Sequence, residues 1–166
     1  MPIRPIVRYG HPALHAPSAA VETIDGPIVT LVEDMVATMY AAPGIGLAAP
    51  QVAVPLRVIV IDLSVGEDPR QLIKLVNPEF LDREGEQKHE EGCLSIPGYM
   101  GDVERHVSVT VKGLNRRGKP FQLKARDWTA RIFQHEIDHL DGVLFIDRAE
   151  SVWRLEAKSD QVAPAE

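Results

Sequence analysis

One cysteine in 166 residues excludes an internal disulfide, so Cys93 is left with packing, metal ligation or nucleophilic chemistry. No apolar run approaches the roughly 18 to 20 residues needed to cross a bilayer. The opening MPIRPIVRYGHP has no apolar stretch of the kind a signal peptide carries, and a cytoplasmic compartment is the expectation. Basic residues are outnumbered, 18 Lys and Arg against 24 Asp and Glu, for a formal charge of -6. That balance argues against a nucleic-acid surface, because phosphate binding rests on clustered cations. The one local basic cluster, Lys112 to Lys119 (KGLNRRGK), reads as a solvated hairpin turn around Asn115 and Gly118. There is no internal repeat and no low-complexity segment. The length suits one well-filled core and is too short for two.

Residues 27–40 (PIVTLVEDMVATMY) place Ile28, Leu31, Val32, Met35, Val36 and Met39 at steps of three and four, the period of a helix. Asp25 stands at the N-cap position, and Pro27 falls in the first turn, where its missing N–H costs nothing. Strand-like pieces follow at Leu56–Asp62, Leu72–Val76, Phe80–Lys88, Val103–Leu114 and Pro120–Lys124. Val107, Val109 and Val111 alternate with Ser108, Thr110 and Lys112, which predicts a sheet with one face in the core and one in water. Residues 127–140 (DWTARIFQHEIDHL) return to helical spacing, with Asp127 or Thr129 available as the cap and Gly142 just past the end. The expected architecture is a single α+β domain over residues 1–166. Antiparallel strands pack around a central helix carrying HEIDH, with another helix toward the N-terminus. Residues 149–166 are expected to be a short tail, with one or two more turns of helix before a flexible Ala/Pro end.

Residues 44–51, GIGLAAPQ, open with Gly-x-Gly-x-x-Ala, a pattern found in dinucleotide sites. Those sites need a strand before the glycines and a helix after them. Here the order is helix, glycine loop, strand, so the phosphate-cradle reading fails. The chemistry instead sits on the second helix, where His135-Glu136-Ile137-Asp138-His139 is an H-E-x-x-H motif. Residues four apart share a helix face, which suits two imidazoles binding one tetrahedral cation. Glu136 is rotated to reach an activated water without becoming a ligand. Ile132, Phe133, Ile137 and Leu140 make the helix apolar enough to be buried, and buried histidines and carboxylates need partners. Cys93, in EEGCLS, is the candidate third ligand, with His11, His15, His89 and His106 as the alternatives. Gly92 lets the backbone come close, and Glu91 is expected to anchor the loop, with Arg105 as its partner.

Taken together, GIGLAAPQ, EGCLS and QHEIDH resemble the three signature motifs of the peptide deformylases, in the same order and at compatible spacing. The resemblance runs from about Ile6 to Asp147 and includes the opening VRYGHPALHAP. Residues 98–136 (GYMGDVERHVSVTVKGLNRRGKPFQLKARDWTARIFQHE) are most similar to the subgroup that includes organellar enzymes.

The resemblance implies a metal-dependent hydrolase that removes the N-formyl group from the formyl-methionine of newly synthesised polypeptides and releases formate. It implies Cys93, His135 and His139 as ligands of a divalent metal, Fe2+ by the family's habit, with Zn2+, Ni2+ or Co2+ compatible with the same donors. Glu136 matches the general acid/base. The Gln51 side-chain amide and the Leu94 backbone N–H match the oxyanion donors. Gly44, Ile45 and Gly46, with Glu91, Trp128 and Ile132, match the substrate cleft and methionine pocket, although Trp128 and Ile132 also suit ordinary core packing. Arg131 falls where many relatives are apolar, and either rims the pocket or faces solvent. The implied partners are N-formylmethionyl nascent peptides, with ribosome contact at most transient. The tail after Arg148 is short and mixed in charge, unlike the long basic helix by which some members dock on the ribosome. Two other classes share part of the pattern. A zinc peptidase has H-E-x-x-H but commonly takes its third ligand downstream, whereas Cys93 lies upstream. A metal-binding redox sensor has no use for Gln51 and Glu136.

Overall fold

The computed structural model describes residues 2–155. Helix α1 (Gly26–Ala41) forms where the spacing predicts it, and Asp25 caps it by accepting the Ile28 N–H at 3.3 Å. The chain then enters strand β1 (Gly46–Ala48) and a 3-10 turn (Ala49–Val52), so GIGLAAPQ is a strand joined to a tight turn. Next come β2 (Val58–Ile61), β3 (Ile73–Glu84), β4 (Gln87–Cys93), β5 (Ile96–Arg105), β6 (Ser108–Leu114) and β7 (Pro120–Arg126). Helix α2 (Asp127–Leu140), a one-turn helix α3 (Phe145–Arg148) and strand β8 (Ser151–Arg154) complete the described chain.

Neighbouring strands run antiparallel in two sheets, ordered β1-β2-β3-β6-β7 and β4-β5-β8. The period of two along β2 divides the larger core. Val58 and Val60 pack with Val32, Met35 and Met39 of α1, while Ile59 and Ile61 pack with Phe133, Ile137 and Leu140 of α2. A strand covered on both faces has no polar side, which is why LRVIVID reads as an unbroken apolar run. Val109 and Val111 of β6 also face α2, as the alternation predicts. The smaller sheet rests on a third cluster of Leu14, Ile96, Val103, Leu144 and Phe145. No helix of the described residues is long and apolar enough to cross a membrane.

Where the elements differ from the sequence pattern, the causes are local or lie across the fold. Strand β3 joins two expected pieces through Pro78 by shifting register between Val76 and Glu79. Asn77 takes φ 53 there, and its side chain bonds the Val21 N–H and C=O at 2.8 and 2.9 Å. Gly85, at φ 72, turns the chain before Lys88. The piece expected over Val103–Leu114 is divided between the sheets, because the His106 N–H is taken by the Gln134 side chain at 2.9 Å. The β4–β5 hairpin has no apolar alternation in QKHEEGC to announce it. Neither Asp127 nor Thr129 caps α2. Arg126 is the cap residue, and Asp127 sits at φ 56 with its N–H on the Val107 carbonyl at 2.8 Å. Gly142 does follow the helix, at φ 77. Residues 151–154 add a strand to β5 rather than a helical turn, with Asp102 opposite Ser151 and Tyr99 opposite Arg154, so edge pairing outweighs local propensity. The flexible end expected beyond them lies outside the described residues.

Candidate metal centre

Every residue of α2 from Ala130 to Leu140 is buried, including two histidines, two carboxylates and an arginine. Such groups must be paired inside the protein. His135 shares a 2.9 Å hydrogen bond through Nδ1 with Glu91 Oε1, which leaves Nε2 as its available donor atom. One helical turn on, His139 Nε2 lies 3.3 Å from Cys93 Sγ. The ligand atoms of Cys93, His135 and His139 lie within 4.8 Å of one another, the one such group among the described residues.

This donor set fits a metal ion. One thiolate and one imidazole held by a tetrahedral cation stand roughly 3.5 Å apart, from bonds of about 2.3 and 2.0 Å, close to the Cys93–His139 separation. Burial above all holds the His139 pKa well below its usual value and keeps the ring neutral, the form that ligates. The other four histidines are elsewhere. His11 caps a 3-10 turn, His15 accepts the Gly10 N–H, His89 packs on Trp128, and His106 pairs with the Gly85 carbonyl.

Cys93 reaches α2 because the β4–β5 register shifts between Glu91 and Cys93. Gly92 lets Met100 pack close at that bulge, since a Cβ there would stand 2.8 Å from Met100 Sδ. The expected Glu91–Arg105 pair is present, at 2.6 and 2.9 Å. Arg131 also donates to Glu91 through Nη1. Burial works to raise the Glu91 pKa, but the bonds from His135 and Arg105 hold it well below the ordinary carboxylate range. A second carboxylate, Asp138, receives Arg105 at 2.8 Å and Arg148 at 2.6 Å. Arg131 neither rims the cleft nor faces solvent, because it is fully buried.

Glu136 is in the opposite situation. It is buried, and its Oε1 has no hydrogen-bond partner. Burial, aided by the charges of Glu91 and Asp138 and opposed by His135 and Arg105, pushes its pKa up to about 7. Strand β1 lies directly against it, since a Cβ on Gly46 would fall 2.5 Å from Glu136 Oε2 and 2.9 Å from Ile132 Cγ2. The 3-10 turn after β1 carries Gln51. Its Oε1 accepts the Ala48 N–H at 3.0 Å, which aims Nε2 at Cys93 Sγ, 3.6 Å away, and at Ser95 Oγ, 3.2 Å away.

These groups open on one cleft of about 350 Å³. Gly44, Ile45 and Gly46 line it from β1 and the residues before it, Trp128 and Ile132 from α2, and Leu94 from the hairpin. Cys93, Gln51, His135 and Glu136 supply its polar groups, while His139 is fully buried behind. Glu91 borders the cleft, and both of its carboxylate oxygens are engaged inside the protein, so the side chain anchors the hairpin to α2. Trp128, 46% exposed, is a rim residue rather than core, and Ile132 serves both. Tyr99, Met100 and Leu155 also line the cleft and were not anticipated. They arrive through β5 and the chain following β8, and no sequence period singles them out.

The model of the polypeptide deformylase family matches residues 3–154. The chain belongs to that family. It is 50% identical over 148 residues to a peptide deformylase of Halothermothrix orenii, covering 89% of this chain and 94% of that one. The fold superposes on the crystal structure of a peptide deformylase from Legionella pneumophila with a TM-score of 0.85 at 46% identity, covering 89% of this chain and 86% of the other. It also superposes on a Met-Ala-Ser-bound class I type b peptide deformylase from Acinetobacter baumannii, with a TM-score of 0.81 at 36% identity over 88% and 98% of the two chains. As a deformylase-family chain this protein is a hydrolase, and the family is metal-dependent.

Proposed function

We propose that the cleft removes the N-formyl group from N-formylmethionyl nascent peptides, with Cys93, His135 and His139 holding one divalent metal. The observation that carries this reading is the convergence of Glu136, buried with a free oxygen, and the Gln51 amide on the three-donor cluster in one cleft. The Met-Ala-Ser peptide bound by the Acinetobacter relative supports it, because that is the product left when formyl-Met-Ala-Ser loses its formyl group.

When bound, the metal supplies Lewis acidity that makes water a strong enough nucleophile near neutral pH. Glu136 takes the proton of the attacking water and passes it to the departing amine, so that formate and a free N-terminus result. Burial, which raises the Glu136 pKa in the metal-free protein, favours its taking up a proton in this position. Gln51 Nε2 and the Leu94 backbone N–H hold the carbonyl oxygen as negative charge develops there. Ile45, Trp128 and Ile132 offer the apolar surface that a methionine side chain fills, and Gly44 and Gly46 let the peptide backbone run close to β1. Ferrous iron is the proposed metal, by family resemblance, and the same donors suit zinc, nickel or cobalt. The compartment proposed with this reading is the cytoplasm, where any ribosome contact is transient.

The test is formate release from formyl-Met-Ala-Ser by anaerobically purified protein reconstituted with iron, measured alongside metal per chain. The reading expects formate at about one metal per chain. Bound metal without formate would refute it.

A further inference from the structure

We propose that Arg131 is a positioning residue for the metal centre, fixing the ring of His135 relative to the hairpin that carries Cys93. The inference rests on the metal-binding reading above.

The problem it addresses is geometric. His135 and His139 share one helix, so their spacing is local. Cys93 arrives on β4, and its place relative to the histidines depends on what locks the β4–β5 hairpin to α2. Arg131 is a side chain of α2 that bonds both strands. Its Nη2 donates to the Gln87 carbonyl on β4 at 3.0 Å and to the Val103 carbonyl on β5 at 2.9 Å, while Nη1 donates to Glu91. Arg105 crosses in the other direction, from β5 to Glu91 and to Asp138 of α2.

The carboxylate between them is thereby fully occupied. Glu91 Oε2 takes Arg105 Nε and Arg131 Nη1, and Oε1 takes Arg105 Nη2 and shares the bond with His135 Nδ1. A carboxylate fixed by two guanidinium groups has one orientation, and it passes that orientation to the imidazole it bonds. Partners that hold a ligating histidine by its other nitrogen commonly set its tautomer and ring angle.

Stability alone does not explain an arginine here. Arg131 has no exposed surface, and its Nε has no partner. A buried ion-pair network replaced as a whole by apolar side chains is often no less stable, so the burial of these charges is weak evidence of a purely stabilising purpose. What an apolar residue cannot do is fork to two strand carbonyls and a carboxylate together. Lysine cannot either, being a point charge on a flexible stem.

The test uses the metal-free full chain as wild type, R131M and R131K. Each is titrated with Co2+ against a competing chelator, with the visible Co2+ spectrum and the urea midpoint recorded. The expected result is native secondary structure in both variants, Co2+ binding weakened by about 10-fold or more, and a changed ligand-field spectrum. A folded variant whose affinity stays within about twofold of wild type and whose spectrum is unchanged would overturn the proposal. If R131M does not fold, R131K decides by the same criterion. V32A, in the α1 core, is the control for lost stability, and an equal fall in Co2+ affinity there would also overturn the proposal. Failure of the wild type to bind Co2+ refutes the metal reading, and the inference with it. Equal binding by all the chains refutes the Arg131 inference alone.

Discussion

Glu136→Gln is expected to stabilise the metal-free protein above neutral pH while ending turnover in the metal-loaded one. The carboxyl is 4% exposed, has an unpartnered oxygen, and titrates near 7 instead of 4.5. A carboxyl with a raised folded-state pKa binds its proton more tightly folded than unfolded. Between pH 4.5 and about 7 the folded chain therefore holds more protons, and stability falls as pH rises through that window. A shift of this size corresponds to about 3 kcal/mol, fully expressed above pH 7 and absent below 4.5. Glutamine has the same shape and no charge, so it removes this penalty and leaves a comparable unbonded polar group. At roughly 2 to 4 °C per kcal/mol for a chain of this length, the variant should melt about 6 to 12 °C higher at pH 8. Urea unfolding of both metal-free proteins from pH 5 to 8.5 measures it, with the difference opening toward pH 7 and then staying level. Parallel stability curves would refute the argument, because they would mean that Glu136 titrates normally. The physical point is that the fold tolerates a destabilising carboxylate where the proposed proton transfer needs one.

The other expectations can be checked in one set of variants. Gln51→Ala should lower kcat by about 100 to 1,000-fold with metal content unchanged, and wild-type turnover would remove Gln51 from the reaction. Gly46→Ala puts a Cβ 2.5 Å from Glu136 Oε2 and 2.9 Å from Ile132 Cγ2. It should cost about 1 to 3 kcal/mol in urea unfolding and depress kcat, and a normal enzyme would show that β1 does not press on α2. Stripping the metal with a chelator should leave the far-ultraviolet circular dichroism intact, because three apolar clusters hold the fold. It should lower stability, and Tm with it, by the linkage amount, about 2.7 kcal/mol relative to a metal concentration 100 times Kd. Loss of secondary structure would contradict that division of labour.

The two long helices were legible because their apolar periods are local and strong, and β2 because a strand covered on both faces is apolar throughout. The β4–β5 hairpin was not, although it carries Cys93. Its outer residues, Lys88 to Glu90, are exposed and polar, and it is held by its sheet partners and by ion pairs that no short window contains. The α2 cap was misread for a similar reason. Asp127 has the chemistry of a cap, but the chain arriving from β7 forces it into the left-handed region and gives its N–H to Val107.

The same distinction runs through the site. His135, Glu136 and His139 could be read because a helix fixes their relation within one turn. Cys93 could be nominated as the single thiol but not located, and Gln51 could be placed only by resemblance, since each comes from a separate segment, while Tyr99, Met100 and Leu155 carried no signal at all. Arg131 is the sharpest case. One cation on a helix whose neighbours are Ala130, Ile132 and Phe133 suggests a rim or an outer face, because an unpaired buried guanidinium is prohibitive. That inference reverses once the opposing strands present two carbonyls and a carboxylate within reach, at Gln87, Val103 and Glu91. Burial of a charge is decided by what the fold places opposite it, so a charged residue amid an apolar stripe marks where distant segments must meet.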